Sequence, residues 1–234
     1  MLDFLGIGAQ KAGTTWLYEM LRLHPDIAFP AGKEVHFWDR RHSCGIDWYK
    51  SLFYPKDSRS AKTGEITPAY AILPEVKIRE CREHFPDLKL IYLIRNPIER
   101  AWSSAKMALK RAEMEIHEAS DQWFIDHFHS QGSMVRGDYE SCLRNWYATY
   151  PKDQLLVCLF DELQQDPASL LRRCFQHVGV IEGNYAWPAD LDTKVFPTAD
   201  HALPQKLRAA LYSIYEDKIV SLANFLGRDL SHWR

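Results

Sequence analysis

The sequence predicts an α/β protein, a three-layer fold in which a central, mainly parallel sheet is flanked by helices. Two observations carry this. Short apolar runs alternate with longer amphipathic stretches, the order that buries a parallel sheet between helices. The first apolar run then leads through a glycine-bearing loop straight into a helix. Such a loop lies at the carboxyl end of a strand, where open sheets bind ligands.

Taken in order, residues 4–8 read as a strand, Ala9 to Gly13 as a loop, and Thr14 to His24 as a helix ended by His24-Pro25. Residues 30–46 read as loop, and Asp47 to Phe53 as a short aromatic helix. Lys62 to Ile66 is a strand stopped by Pro68, and Pro74 to Phe85 a helix with proline in its first turn. Leu88 to Ile94 is the clearest buried strand. Asn96 caps the next helix, with Pro97 at its first position, running to about Lys110. Residues 111–137 are polar and mixed, a variable helical insert. Tyr139 to Tyr150 reads as helix, Leu155 to Phe160 as strand and Pro167 to Val178 as helix. Residues 182–203 are proline-rich loop, and Pro204 to Leu226 is a last long helix closed by Gly227.

The 234 residues suit one domain, 1–234, with a core of ordinary size. A formal net charge of -2 gives no global signature of nucleic-acid or membrane binding. The five cysteines are scattered, with no CxxC pair, which argues against a disulfide framework or zinc site and for a reducing compartment. His127-x-His129 beside Asp126 lacks a third ligand and reads as a polar helix, so no metal site is assigned. No signal peptide is read, and no segment reaches the roughly 18 apolar residues of a membrane span. The expected location is cytoplasmic.

Two loops follow strands and carry charge. Gly8-Ala-Gln-Lys-Ala-Gly13-Thr14-Thr15 has the glycine spacing of a P-loop, so the fold is P-loop-like. Backbone amides in such a turn bind anions together with the helix N-terminus. The lysine is displaced, however: it stands at Lys11, and Thr14 follows Gly13. The second strand ends Ile94-Arg95, where a nucleotide triphosphatase would place an acid for magnesium. An arginine there is a bidentate anion clamp. The pair reads as a P-loop site rebuilt for a nucleotide with an additional phosphate and no metal.

These residues resemble the sulfotransferases that use 3'-phosphoadenosine 5'-phosphosulfate (PAPS). Gln10-Lys11-Ala12-Gly13-Thr14-Thr15-Trp16-Leu17 is similar to their 5'-phosphosulfate loop. The run from Arg95 to Ser103 is similar to their 3'-phosphate motif, with Ser103 eight residues after Arg95. Lys33-Glu34-Val35-His36-Phe37-Trp38-Asp39 and Thr67-Pro68-Ala69-Tyr70 resemble the carbohydrate branch, above all the heparan sulfate 3-O- and N-sulfotransferases. The ending Leu226 to Trp233 resembles compact bacterial members. There are two departures. Ile66 stands where the 3-O enzymes have a lysine, and the cysteine pair around their C-terminal basic loop is missing, leaving Lys194 as its one basic counterpart.

The resemblance implies a PAPS-dependent transfer to a hydroxyl or amine, of a carbohydrate, a glycoconjugate or a small hydroxylated metabolite, releasing adenosine 3',5'-bisphosphate (PAP). It implies Glu34 as general base, with His36 as helper or rival base, and Lys11 at the leaving phosphate. Gln10, Lys11, Ala12, Gly13, Thr14 and Thr15 would bind the 5'-phosphosulfate; Arg95 and Ser103, with Lys194, would complete the donor site. Trp16 is either a face for adenine or a core aromatic. Trp48, Tyr70, Arg136 and Tyr139 are candidates for the acceptor cleft, and residues 182–203 for a loop covering donor or substrate. Two rivals stand beside this reading: a magnesium-dependent P-loop kinase or NTPase, and a non-catalytic PAP-binding protein on the same fold.

Overall fold

The structure, a computed structural model, describes residues 1–54, 61–189, 191 and 202–234. The chain divides into two compact units, Met1–Ile94 with Arg144–Phe196, and Arg95–Leu143 with Pro197–Arg234.

The first unit holds a five-stranded sheet of β1 (Leu2–Gly8), β2 (Ile27–Ala28), β3 (Lys62–Ile66), β4 (Lys89–Ile94) and β5 (Leu155–Leu159). The strands run parallel in the order β2-β3-β1-β4-β5. β1 and β4 each have neighbours on both sides, which is why they read as near-continuous apolar runs. Of all the charged residues on the five strands, one is wholly buried, Glu65 on β3.

The helices, in chain order, are α1 (Thr14–Leu21), α2 (Ile46–Ser51), α3 (Glu75–His84), α4 (Pro97–Arg111), α5 (Asp121–His129), α6 (Gln131–Gly137), α7 (Tyr139–Tyr147), α8 (Phe160–Gln165), α9 (Pro167–Val178) and α10 (Gln205–Leu226). Of these, α1 to α3, α8 and α9 belong to the first unit, α4 to α6 and α10 to the second, and α7 crosses the boundary.

Four of the five strands and most helices fall where the sequence places them; the two-residue edge strand β2 (Ile27–Ala28) was not read from the sequence, and three further departures have local causes. Helix α1 stops at Leu21, because the His24 ring turns inward, accepting the Asp26 amide at 3.1 Å and meeting the Ile181 carbonyl at 3.1 Å. The segment read as loop after residue 30 contains two short helical turns, Phe37–Arg41 and His42–Cys44, built on the buried rings of Phe37 and Trp38. Strand β5 ends at Leu159 rather than Phe160. There Glu162 reaches back to accept the Leu159 amide at 2.8 Å, and α8 begins.

In the second unit α4 packs on α5, α6 and α10. The Asn96 side chain accepts the Ile98 amide at 3.0 Å and Pro97 opens the helix, as the sequence predicts. Residues 111–137 are largely helical, with α5 capped by Ser120 and α6 by Ser130. Helix α10 buries Leu207, Leu211, Tyr215, Ile219 and Leu222 at three- and four-residue spacing and ends on Gly227, at φ 63°.

Candidate active site

The loop after β1 is built to leave amides open. Helix α1 starts at Gly13 with no side-chain cap, so the N–H groups of its first turn are left for an outside acceptor. Gly13 has φ 94°, and a Cβ there would come within 3.0 Å of Leu163 Cδ2 and 3.1 Å of the Phe160 ring. Glycine is therefore required for both conformation and space. Lys11 also lies at positive φ, 69°, a strained backbone for a residue with a side chain. Ala12 and Thr14 are buried, Gln10 and Lys11 half-buried, and Thr15 exposed. Trp16 is 1% exposed. That burial accords with the core reading of this residue.

The Lys33–Asp39 segment meets this loop through one ammonium group. Lys33 Nζ donates to Thr15 Oγ1 at 3.0 Å and to Glu34 Oε1 at 2.7 Å. Glu34 Oε2 lies 3.3 Å from His36 Nε2, and the other ring nitrogen, Nδ1, lies 3.0 Å from Asp39 Oδ2. The row Lys33, Glu34, His36, Asp39 thus places an exposed carboxylate between an ammonium and an imidazole. The imidazole is oriented in turn by a second carboxylate. His36 sits at φ 58°, so this turn too is held in a rarely adopted conformation.

Behind the turn lies Glu65, wholly buried. Its Oε1 accepts from Tyr49 Oη at 2.6 Å and Tyr70 Oη at 3.0 Å; its Oε2 accepts from Thr67 Oγ1 at 2.5 Å and the Val35 amide at 2.9 Å. Burial pushes the Glu65 carboxyl above its ordinary value, against the opposing pull of these four donors. Burial and the neighbouring Glu65 push Tyr49 and Tyr70 up as well.

Tyr70 is therefore not an acceptor-cleft aromatic as the sequence suggests. It is fully buried, and its hydroxyl donates to Glu65 and accepts the Phe37 amide at 2.8 Å. Trp48 is half-buried on α2, with its ring 6.2 Å from that of Phe37.

In the second unit, Arg95 directly follows β4 in the chain. Its Nε and Nη2 donate to Glu99 Oε2 at 3.0 and 2.6 Å, one helical turn on. Ser103 stands half-buried on α4. Tyr139 is 2% exposed and donates its hydroxyl to the Arg95 carbonyl at 2.8 Å. It fixes the arginine's backbone, a role the sequence reading did not assign it. Burial raises its pKa. Arg136 is turned onto its own helix, donating to the Gly132 carbonyl at 2.7 Å. Lys194 lies outside the described residues. Among the described residues, no three His, Cys, Asp or Glu side chains are grouped to hold a metal ion, and no helix is long and apolar enough to cross a membrane.

The sequence reading assigned no role to Glu65, Asp39, Lys33 or Glu99. Glu65 had a signal: a lone acid inside an otherwise buried strand, two residues before Thr67.

Residues 2–184 match the sulfotransferase domain family. The chain belongs to that family. Among curated relatives, heparan sulfate glucosamine 3-O-sulfotransferase 3B1 of Mus musculus is 34% identical over 180 residues, covering 74% of this chain and 45% of the relative. The chain thus spans about half the length of the curated relatives it matches. Among solved structures, a sulfotransferase from Alicyclobacillus acidocaldarius superposes with a TM-score of 0.79 at 25% identity, covering 100% of this chain and 99% of the other. A mouse sulfotransferase complexed with PAP shares the fold, with a TM-score of 0.59 at 15% identity over 93% of this chain and 84% of that one. The five-stranded parallel sheet flanked by helices is thus a sulfotransferase fold, as the loop motifs imply.

Proposed function

We propose that this sulfotransferase-family chain moves the sulfuryl group of PAPS to a hydroxyl or amine of a carbohydrate or glycoconjugate, with Glu34 as general base. The observation that carries the reading is Lys33 Nζ, bonded at once to Thr15 of the anion-binding loop and to Glu34. It links the group that would hold the donor to the group that would take the acceptor's proton. The heparan sulfate enzyme among the relatives supports a glycan acceptor, and the PAP-bound neighbour supports the donor.

The loop residues fit such a donor. The uncapped first turn of α1 and the tight Gly13 turn suit a 5'-phosphosulfate, and Lys11 would stabilise charge growing on the bridging oxygen. Arg95 offers a guanidinium fork for the 3'-phosphate, with Ser103 as a hydroxyl donor on the same helix. Bound there, PAPS supplies an activated sulfuryl group.

Glu34 takes the proton of the attacking acceptor atom. A new bond forms from that atom to sulfur, the sulfur–oxygen bond to the 5'-phosphate breaks, and PAP leaves with the electron pair. His36, seated between Glu34 and Asp39, orients the base and steadies its charge. Lys33 holds the base in line with the loop.

Calorimetric titration with PAP against 5'-AMP and ATP, with and without magnesium, tests this reading. Metal-independent preference for PAP supports it and leads to glycan acceptors as the next screen. Absence of PAP binding, or magnesium-dependent preference for ATP, overturns it and puts a kinase first.

A further inference from the structure

Three successive amides of the base-bearing turn are held by side chains from β3 and the turn that follows it. Val35 N–H donates to Glu65 Oε2 at 2.9 Å, His36 N–H to Thr67 Oγ1 at 3.5 Å, and Phe37 N–H to Tyr70 Oη at 2.8 Å. The two hydroxyls that accept from the turn both donate their own hydrogen bonds to Glu65, from Thr67 at 2.5 Å and from Tyr70 at 3.0 Å. Every bond therefore points toward one carboxylate, and Tyr49 supplies its fourth donor at 2.6 Å. Two donors on each oxygen is the pattern of an ionised acceptor, since a protonated carboxyl would need an acceptor of its own.

We infer that Glu65 is a positioning residue for transfer: through Thr67 and Tyr70 it locks the Val35–Phe37 backbone, and so fixes where Glu34 and His36 stand.

The inference rests on the sulfotransferase reading for its effect on turnover, but not for the lock itself. Several facts explain why a buried acid occupies this place. The turn must hold His36 at φ 58°, which an ordinary loop relaxes. Three adjacent amides facing one way also leave a local excess of positive charge, which a neutral strand residue would not answer. Isolated burial of a carboxylate is costly, and it persists here because all four of its acceptor positions are used. Glu65 also sits opposite Leu5 of β1 in the sheet, so the lock is anchored to a central strand. This gives the Thr67-Pro68-Ala69-Tyr70 run a role that the sequence did not reveal: its hydroxyls transmit the position of a strand to the position of a base.

Tyr70→Phe removes one hydroxyl that bridges the turn to Glu65, and Glu65→Gln replaces an acceptor by an amide donor. Tyr150→Phe is the control. It removes another buried hydroxyl, whose hydrogen bonds go to the Phe85 carbonyl at 3.1 Å and Cys81 Sγ at 3.4 Å and not to residues 35–37. Two readouts are compared: amide hydrogen exchange at residues 35–37, and transfer from PAPS to an N-sulfated heparan oligosaccharide. In Tyr70→Phe and Glu65→Gln, exchange at residues 35–37 should quicken about tenfold or more, with little change in Tyr150→Phe. Turnover should fall between about tenfold and 10²-fold, while KM for PAPS and PAP affinity stay within about twofold, the split expected of a misplaced base. Unchanged exchange at residues 35–37, or the same loss of turnover in Tyr70→Phe as in Tyr150→Phe, would overturn the inference. Exchange needs no acceptor. A wild-type chain that fails to bind PAP therefore defeats the sulfotransferase reading and leaves the lock to be judged at the amides.

Discussion

Asn96 Nδ2 donates to the Trp233 carbonyl at 3.0 Å, while the same side chain's oxygen caps α4. One amide group thus joins the last turn of the described chain to the residue that follows Arg95. Trp233 is 2% exposed, so the contact is anchored by a buried indole. Trp233→Ala should cost about 3–5 kcal/mol of stability. It should also weaken PAP binding by loosening Asn96. Thermal denaturation and PAP calorimetry check both effects; wild-type affinity in a folded Trp233→Ala protein would show that Arg95 does not depend on this tie.

Lys11→Ala should slow transfer by about 10²–10³-fold, the scale seen on removing one donor to a developing anion. The fold should survive, because Lys11 is on a half-buried loop outside the apolar core. Steady-state transfer to a glycan acceptor measures it. A wild-type rate would mean the loop does not hold the donor's leaving group.

Glu34→Gln should leave PAP affinity near wild type and suppress turnover. The amide keeps the shape but cannot take a proton at neutral pH. If turnover is unchanged, the base is His36, whose Nε2 lies 3.3 Å from Glu34.

Lys33→Ala should lower turnover by about tenfold through loss of alignment. Lys33→Arg should restore part of it, since a longer cation can still reach Thr15 and Glu34. Equal loss in both variants would assign Lys33 a contact of its own with substrate.

Glu65 gives a pH signature. Its folded-state carboxyl is raised by burial above the ordinary value of 4.5. Its favourable share of stability is then full below the unfolded pKa and is lost as pH rises through the folded one. The stability of wild type relative to Glu65→Gln should therefore decline as pH increases from about 4 toward neutrality. Urea unfolding of both proteins at several pH values measures this; a difference that grows with pH would reverse the sign.

Much of the fold was legible because periodicity reports burial. β3 begins and ends where its sequence pattern does, and Asn96-Pro97 and Gly227 mark helix boundaries through local chemistry alone. The candidate site was legible only where backbone chemistry demands particular residues, as at Gly13. Tyr70 was misread, and the tie made by Tyr139 not seen, because an aromatic's role depends on where its hydroxyl ends, and both end on groups distant in sequence, at Phe37 and Arg95. Glu65 was passed over for the same reason. Its partners come from residues 35, 49, 67 and 70, and no local pattern brings them together.

The amide lock approaches the base-bearing turn from the sheet side, and this has a consequence for how acceptors change. Trp48, half-buried on α2, takes part in none of the lock's hydrogen bonds. Residues that would meet a new sugar can be exchanged while the reacting groups keep their place. Catalytic power and substrate choice are thereby written on opposite sides of one short turn, an arrangement that lets specificity drift, or be redesigned, without rebuilding the chemistry.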